Sequence, residues 1–263
     1  MSRPFQAVQK FMKIFFEARG IKSKISLLFL VPRALFRYPH KSRDIMLPFN
    51  VYLKNENGLL FAGKNFISIL TASSLHEPYV KKNLTMEEGV FVDVGANIGK
   101  YSVYMGRKLG RESIVFAIEP EPFNFEILEK NVQLNNLKNV FPVNAACFSE
   151  SKEIDFYVEK EGGGLHSVYR QKHHKNKIKV RGERLDEILS KHNSGKVKVI
   201  KIDVEGAELE VLRGANKTLR KDHPLIIFET TELEKLKKIK DFLSRYGYRV
   251  SSVEGEDWYY RAV

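Results

Sequence analysis

Phe91-Val92-Asp93-Val94-Gly95-Ala96-Asn97-Ile98-Gly99 joins an apolar run to a glycine-spaced turn, with Asp93 near the end of the run. Residues 90–94 are apolar and β-branched, as a parallel strand buried on both faces requires, and a helical pattern begins after Gly99. Gly95 and Gly99 lack a Cβ, so the chain can turn sharply and bring bare backbone against a ligand while the next helix packs close to the strand. The helix start is expected to present unpaired N–H groups to an anionic end of that ligand. Glycines at this spacing also occur in plain turns, so the turn alone assigns no ligand.

The next segments narrow the choice. A helix over 100–109 and a Gly110-Arg111 break lead to a second buried strand, 113–118, which ends on Glu119-Pro120. An acid about 20 residues beyond a glycine turn is placed to hold ribose hydroxyls; a solvated loop glutamate is the plainer alternative. A pyrophosphate cradle requires G-x-G-x-x-G, and here Asn97 occupies the middle glycine's place. The pattern D-x-G-x-N-x-G with Glu119 suits a cofactor with a ribose, an amino-acid carboxylate and no phosphate, which describes S-adenosylmethionine. The rival is an NAD-dependent oxidoreductase. Its proton donor would be Tyr104 with Lys108, a pair that reads more simply as helix surface.

Beyond Pro122, an early helix position, the periodicity predicts a helix over 123–135 and a third strand over 140–144. Residues 153–158 and 177–180 alternate like an inserted hairpin or edge, with the flexible loop Gly162-Gly163-Gly164-Leu165-His166-Ser167 between them. Strands at 197–202 and 225–228, a helix at 233–246 and a terminal hairpin of 248–253 with 258–263 complete one doubly wound α/β core. The domain division is a basic extension, 1–47, and a catalytic domain, 48–263.

In such a sheet, ligands gather outside the C-terminal strand ends. Asp203 and Glu205, in Lys201-Ile202-Asp203-Val204-Glu205-Gly206-Ala207-Glu208, therefore face the cleft that the first turn opens. Methyl transfer needs an aligned hydroxyl lone pair and a proton acceptor, and a carboxylate can supply both. Glu208 reads as a helix-start acid. Lys201 either orients a carboxylate or is solvated at a strand end. Asn144-Ala145-Ala146, ending the third strand, leaves room for a flat base, although packing also explains two alanines. His166 is either a loop-surface residue or a base near neutral pH, and it joins Asp203 and Glu205 as a catalytic candidate. His173-His174 has no metal-ligand spacing, and Cys-x-x-Cys and His-x-x-x-His pairs are absent from the sequence, so no zinc site is expected. A divalent ion at Asp203 with Glu205 or Glu229 is not demanded by the spacing.

The residues 92–99, Glu119-Pro120 and 201–208 together resemble the FkbM family of S-adenosylmethionine-dependent methyltransferases, over roughly residues 77–263. His76-Glu77-Pro78 is similar to a short acid-proline element ahead of that family's glycine turn, and Leu185-Asp186 to its Leu-Asp pair. Lys100 and Arg184 depart from the pattern, which bears on substrate preference. The resemblance implies a class I methyltransferase fold: a mostly parallel, seven-stranded Rossmann-like sheet closed by the antiparallel C-terminal hairpin. It implies an O-methyltransferase acting on a hydroxyl of a sugar, glycolipid or small metabolite. The cofactor-binding set is then Glu77, Asp93, Gly95, Asn97, Gly99, Glu119, Pro120, Asn144 and Ala145.

The 263 residues carry a formal net charge of +12, and residues 1–47 hold ten Lys and Arg against Glu17 and Asp44, or +8 of it. Phe5, Val8, Phe11, Met12, Phe15 and Phe16 fall on one helical face, and Lys10, Lys13 and Glu17 on the other. The apolar run 25–31, stopped by Pro32, is too short to span a bilayer and does not resemble a cleavable signal. The extension therefore packs across the cleft, packs onto a second subunit, or lies on an anionic membrane. A noncatalytic membrane- or RNA-associated module stays open as a class, but no nucleic-acid motif accompanies the charge. The single cysteine, Cys147, excludes an intrachain disulfide and suits a reducing, cytoplasmic setting.

Overall fold

The structure is a computed structural model that describes residues 3–30, 45–158, 166–170, 176–192 and 195–263. Helices α1 (Arg3–Glu17) and α2 (Ile21–Leu28) lead to an antiparallel hairpin, β1 (Met46–Asn55) and β2 (Gly58–Asn65), and to short helices α3 (Phe66–Ala72) and α4 (Pro78–Asn83). The core follows: β3 (Val90–Val94), α5 (Lys100–Lys108), β4 (Ile114–Ile118), α6 (Pro122–Leu134) and β5 (Val140–Val143). Next come β6 (Ala146–Cys147), β7 (Lys152–Val158), β8 (Asn176–Glu183) and α7 (Leu185–Ser190). The chain ends with β9 (Val197–Ile202), α8 (Glu208–Gly214), α9 (Asn216–Asp222), β10 (Leu225–Glu229), α10 (Leu233–Ser244), β11 (Val250–Ser252) and β12 (Tyr259–Ala262).

The main sheet has seven strands in the order β11-β12-β10-β9-β3-β4-β5. β5, β4, β3, β9 and β10 are parallel, and the β11–β12 hairpin closes the sheet antiparallel to β10. This is the doubly wound sheet with a terminal hairpin that the sequence predicts. Along β3 the side chains alternate between its faces. Val90, Val92 and Val94 pack with Leu185, Val211, Leu219 and Ile239 of α7–α10. Phe91 packs on the opposite face with Val80, Met105 and Leu128 of α4–α6. The 153–158 and 177–180 segments form an antiparallel pair, β7–β8, in a separate three-stranded sheet with β6. Residues 162–165 of the glycine loop, Pro32 and His173-His174 lie outside the described residues.

Sequence periodicity does not reveal the β1–β2 layer. Ile14, Ala18 and Leu27 pack on Val51, Leu53, Leu60 and Ala62, and the same cluster includes Ile98, Val103 and Ile127 of the main domain. Asn131 and Asn135 of α6 clamp β2: Asn131 accepts from Phe61 N–H at 2.6 Å and donates to its carbonyl at 3.1 Å, and Asn135 does the same for Leu59 at 3.0 and 2.7 Å. Residue 47 falls inside β1. Glu17, expected on a solvated face, is buried: its carboxylate accepts from Ser74 N–H at 3.1 Å and Asn55 Nδ2 at 2.7 Å, because α1 ends against the loop after α3.

Candidate active site

The chain lays β4 and β5 to one side of β3, then crosses to lay β9 and β10 on the other. Strand order reverses between β3 and β9, and their C-terminal ends part around a crevice. A cavity of ≈ 340 Å³ opens there, within the roughly 300–1,000 Å³ usual for small-molecule sites.

Glycine is required where the two strand ends meet. Gly95 has φ +77°, and a Cβ on it would lie 1.8 Å from the Asp203 carbonyl oxygen. The N–H groups of the turn are satisfied within the chain. Gly95 and Ala96 donate to Ile118 O at 3.0 Å, Asn97 to Glu119 Oε2 at 2.8 Å, Ile98 to the Asn97 side chain at 2.8 Å and Gly99 to Ala96 O at 2.8 Å. The N–H groups of the turn itself are thus taken up within the chain, that of Asn97 by the Glu119 carboxyl; the donors expected to face an anionic ligand are those of the helix start after Gly99. Glu119 Oε1 also accepts from Glu121 N–H at 2.9 Å. Burial, only partly offset by these two bonds, pushes the Glu119 carboxyl up to about 8.

Across the cavity a buried charge network centres on Lys201. Its Nζ lies 3.1 Å from Asp203 Oδ2, 3.8 Å from Asp93 Oδ1 and 4.8 Å from the Tyr101 ring centroid. Burial opposes its charge, but Asp203, Asp93 and Glu77 outweigh burial and hold the ammonium above its usual range. Burial would raise Asp203 as well; Lys201 and hydrogen bonds from Glu229 and Lys201 reverse the direction and keep it ionised. Tyr259 OH also donates to Asp203 Oδ2 at 3.2 Å. Burial, then the Asp203 charge, push Glu229 up to about 10, so it carries the proton of the pair. Glu77, Asp203 and Glu229 offer carboxylate oxygens within 4.8 Å of one another, the one such acid group among the described residues.

Glu77 accepts from Tyr101 OH at 2.8 Å and sits 3.3 Å from His76 Nε2. The Lys100 ammonium donates to His76 O. Burial lowers His76 from its usual range and brings Lys100 down to about 7. Glu77, Asn97 and Glu205 all hold left-handed backbone, with φ 46°, 52° and 52°, and all three line the cavity. Non-glycine residues in that region concentrate where surrounding structure enforces a functional geometry.

The sequence profile described as the methyltransferase FkbM domain matches residues 93–250, a span that contains the turn, Glu119, and Lys201 with Asp93, Tyr101, Asp203 and Glu229 of its network. The chain belongs to the methyltransferase FkbM domain family. Methyltransferase 1 of Beauveria bassiana is 29% identical over 147 residues, which cover 49% of this chain and 59% of that protein. The hexuronic acid methyltransferase AglP of Haloferax volcanii is 30% identical over 176 residues, covering 60% and 70%. A solved FkbM methyltransferase from Methylobacillus flagellatus KT superposes with a TM-score of 0.50 at 14% identity, over 97% of this chain and 59% of that one. The match thus spans less than two thirds of the Beauveria relative and of the solved chain.

Within the FkbM domain, Gly95, Asn97, Glu119, Pro120, Ala145, His166, Asp203 and Glu205 line the cavity, and Glu77, which precedes the matched span, joins them. Asp93, Gly99 and Asn144 are not among its lining. Asp93 is fully buried beneath the turn and accepts from Ser102 Oγ at 2.6 Å. Gly99, with φ +84°, fits α6 against the turn, where a Cβ would sit 2.5 Å from Leu128 Cδ1. Asn144 Nδ2 donates to the Glu119 and Pro120 carbonyls at 2.9 and 3.3 Å. Next to His166, Ser167 Oγ donates to Glu205 O at 2.8 Å and ties that loop to the end of β9. Tyr104 and Lys108 do not line the cavity, and Cys147 is buried, its thiol pushed up by burial. Sequence reasoning missed Tyr101 and Tyr259, named Glu229 only as a partner for a divalent ion and His76 and Lys100 only through the family pattern, and left Lys201 open. One signal was available for Lys201: a lysine flanked by isoleucines at the end of a strand, two residues before an acid, is rarely buried unpaired.

Proposed function

We propose that this FkbM domain transfers a methyl group from S-adenosylmethionine to a hydroxyl of a sugar or related small metabolite. The observation that carries the reading is Glu119 closing the glycine turn on Asn97 N–H. The N–H groups of the turn are already bonded within the chain, and the Glu119 carboxyl fills the place beside Asn97 that a phosphate would need; a ribose diol, by contrast, donates to that carboxyl. Small Ala145 and Ala146 leave a slot beside Ile118 for a flat base, and Gly95 keeps the strand ends open to a ligand. The Lys100 ammonium, at the head of α5 in the cavity wall, is the cation for an amino-acid carboxylate. These residues fit S-adenosylmethionine without any phosphate contact.

When bound, S-adenosylmethionine supplies a methyl group already activated for displacement. The chain's part is to place the acceptor and take its proton. Asp203, held ionised by Lys201, orients the acceptor hydroxyl by accepting from it. His76 takes the proton. Burial keeps its imidazole neutral, and with Nε2–H directed at Glu77, Nδ1 is left as the acceptor. Glu77 and Asp203 then steady the imidazolium. Glu205 and His166 wall the acceptor side. Hexuronic acid is named for the Haloferax relative, which supports a sugar or sugar-acid acceptor here.

The test is incubation of the chain with methyl-labelled S-adenosylmethionine and a panel of hexoses, hexuronic acids and glycolipids. Alkali-stable label in a carbohydrate is expected from an ether. Alkali-labile label would place the methyl on a carboxylate, and no label in any acceptor would contradict the proposal.

A further inference from the structure

The outer face of the N-terminal helices is apolar where a surface helix is normally polar. In α2 the side turned inward carries Ser23, Ser26 and Leu27, all buried. The two serines serve backbone groups of β1: Ser23 Oγ accepts from Tyr52 N–H at 3.1 Å, and Ser26 Oγ bonds both N–H and C=O of Phe49 at 3.0 and 2.9 Å. The side turned outward carries Ile21, Ile25 and Leu28, with Phe29 just beyond, at 76%, 38%, 51% and 55% exposure. At about 100° per residue, Lys22 and Lys24 flank this stripe on either side, and both are exposed. α2 is an amphipathic helix with its oily face to the outside.

α1 shows the same excess. Phe11, Ile14, Phe15 and Ala18 pack into the N-terminal core, which uses roughly the 100° arc that a packed surface helix needs. Val8, Met12 and Phe16, four residues apart, widen the apolar arc to about twice that and stay exposed, Phe16 at 72%. Lys10 and Lys13 are exposed on the far side of α1, and Arg19 between the helices. Lys24 Nζ lies 5.7 Å from the Phe15 ring centroid, which brings the two helices side by side. The acid of this region, Glu17, is turned inward and bonded to Asn55 and Ser74, so it does not offset the cations.

From this arrangement we infer that α1 and α2 dock the protein on an anionic phospholipid surface, with Val8, Met12, Phe16, Ile21, Leu28 and Phe29 in the acyl boundary. The lysines that rim the stripes meet the headgroups. Apolar centres rimmed by lysine are the signature of a helix lying in the membrane interface, where long side chains reach back to the phosphates. No helix of the described residues is long and apolar enough to cross a membrane. The inference does not depend on the methyl acceptor.

The experiment is vesicle flotation of the full chain with phosphatidylcholine alone and with added phosphatidylserine. The variants are Phe16→Ser with Ile21→Ser, and Lys22→Glu with Lys24→Glu, all at exposed positions, with circular dichroism checking that each keeps the wild-type fold. Flotation with the serine-lipid vesicles is expected. Lysine reversal should weaken it by at least roughly fivefold per residue, and the apolar pair by more than about tenfold. Binding that is unchanged in either variant overturns the inference. So does absence of flotation, or a dimer that the apolar pair converts to monomer in sedimentation, which would make the stripe a contact between two copies. S-adenosylhomocysteine affinity, measured on the same variants, should stay at the wild-type value, so failure of docking and failure of the methyl-transfer proposal are read separately.

Discussion

Glu119→Gln isolates the carboxyl that closes the glycine turn. Alanine would be a poorer probe, since it strands the Asn97 and Glu121 N–H groups at about 1–3 kcal/mol each. Glutamine keeps the shape and one acceptor oxygen while abolishing ionisation. Burial raises the native carboxyl from 4.5 to about 8. Between those values the unfolded chain has released a proton that the folded chain still holds. The stability this group contributes is therefore full below pH 4.5 and falls as pH rises through about 8. At about 1.4 kcal/mol per tenfold in proton affinity, the loss has a ceiling of about 5 kcal/mol. The glutamine variant escapes it. Urea unfolding should show the variant gaining on wild type by several kcal/mol between about pH 5 and about pH 8.5. At the higher pH the variant should bind S-adenosylhomocysteine about 10–100-fold more weakly, the loss of one charge-assisted hydrogen bond to a ribose hydroxyl. A stability difference that is flat with pH would refute the buried proton on Glu119, and unchanged affinity would remove Glu119 from the ribose.

Three other perturbations probe the opposite wall. Lys201→Met should cost about 3–5 kcal/mol in urea unfolding, since Asp93 and Asp203 lose the ammonium between them; a loss under about 1 kcal/mol would mean that Lys201 is not their counter-ion. His76→Gln should cut kcat by about 10²-fold or more and leave S-adenosylhomocysteine affinity within about twofold. Because burial lowers the His76 pKa from 6.5, wild-type kcat should climb as pH rises through a value below that and level off at neutrality. A variant that keeps this acid limb would exclude His76 as the proton acceptor. Chelation with EDTA should leave turnover unchanged within about twofold, as Lys201 and the proton on Glu229 already balance the acids around Asp203. Loss that magnesium restores would instead place an ion among Glu77, Asp203 and Glu229.

The strands of the main sheet are legible in sequence because each is a bounded apolar run: residues 90–94 and 197–202 match β3 and β9 residue for residue. Glycine spacing placed the turn, and Glu119 fell at the cavity wall for the reason its position after β4 suggests. β1 was illegible because it holds Pro48 and a register shift between Met46 and Val51, so its buried residues do not alternate regularly. The docking of its hairpin partner β2 on α6 depends on Asn131 and Asn135, which in sequence look like ordinary polar helix positions. The cavity's far wall was illegible for a different reason. Lys201, Tyr101, Glu77 and Tyr259 come from four separate elements and meet only through tertiary packing, and the closure of the turn by Glu119 depends on the left-handed backbone at Asn97. The folded chain fills the N–H groups of the turn itself, which glycine spacing does not reveal.

On this reading the cleft takes a phosphate-free adenosyl ligand. Titration calorimetry of the full chain with S-adenosylhomocysteine and, separately, NAD tests it most directly. One-to-one binding of S-adenosylhomocysteine is expected, weakened about 10–100-fold in Glu119→Gln at about pH 8.5, with no heat from NAD. Binding of NAD, or silence with S-adenosylhomocysteine, would contradict it.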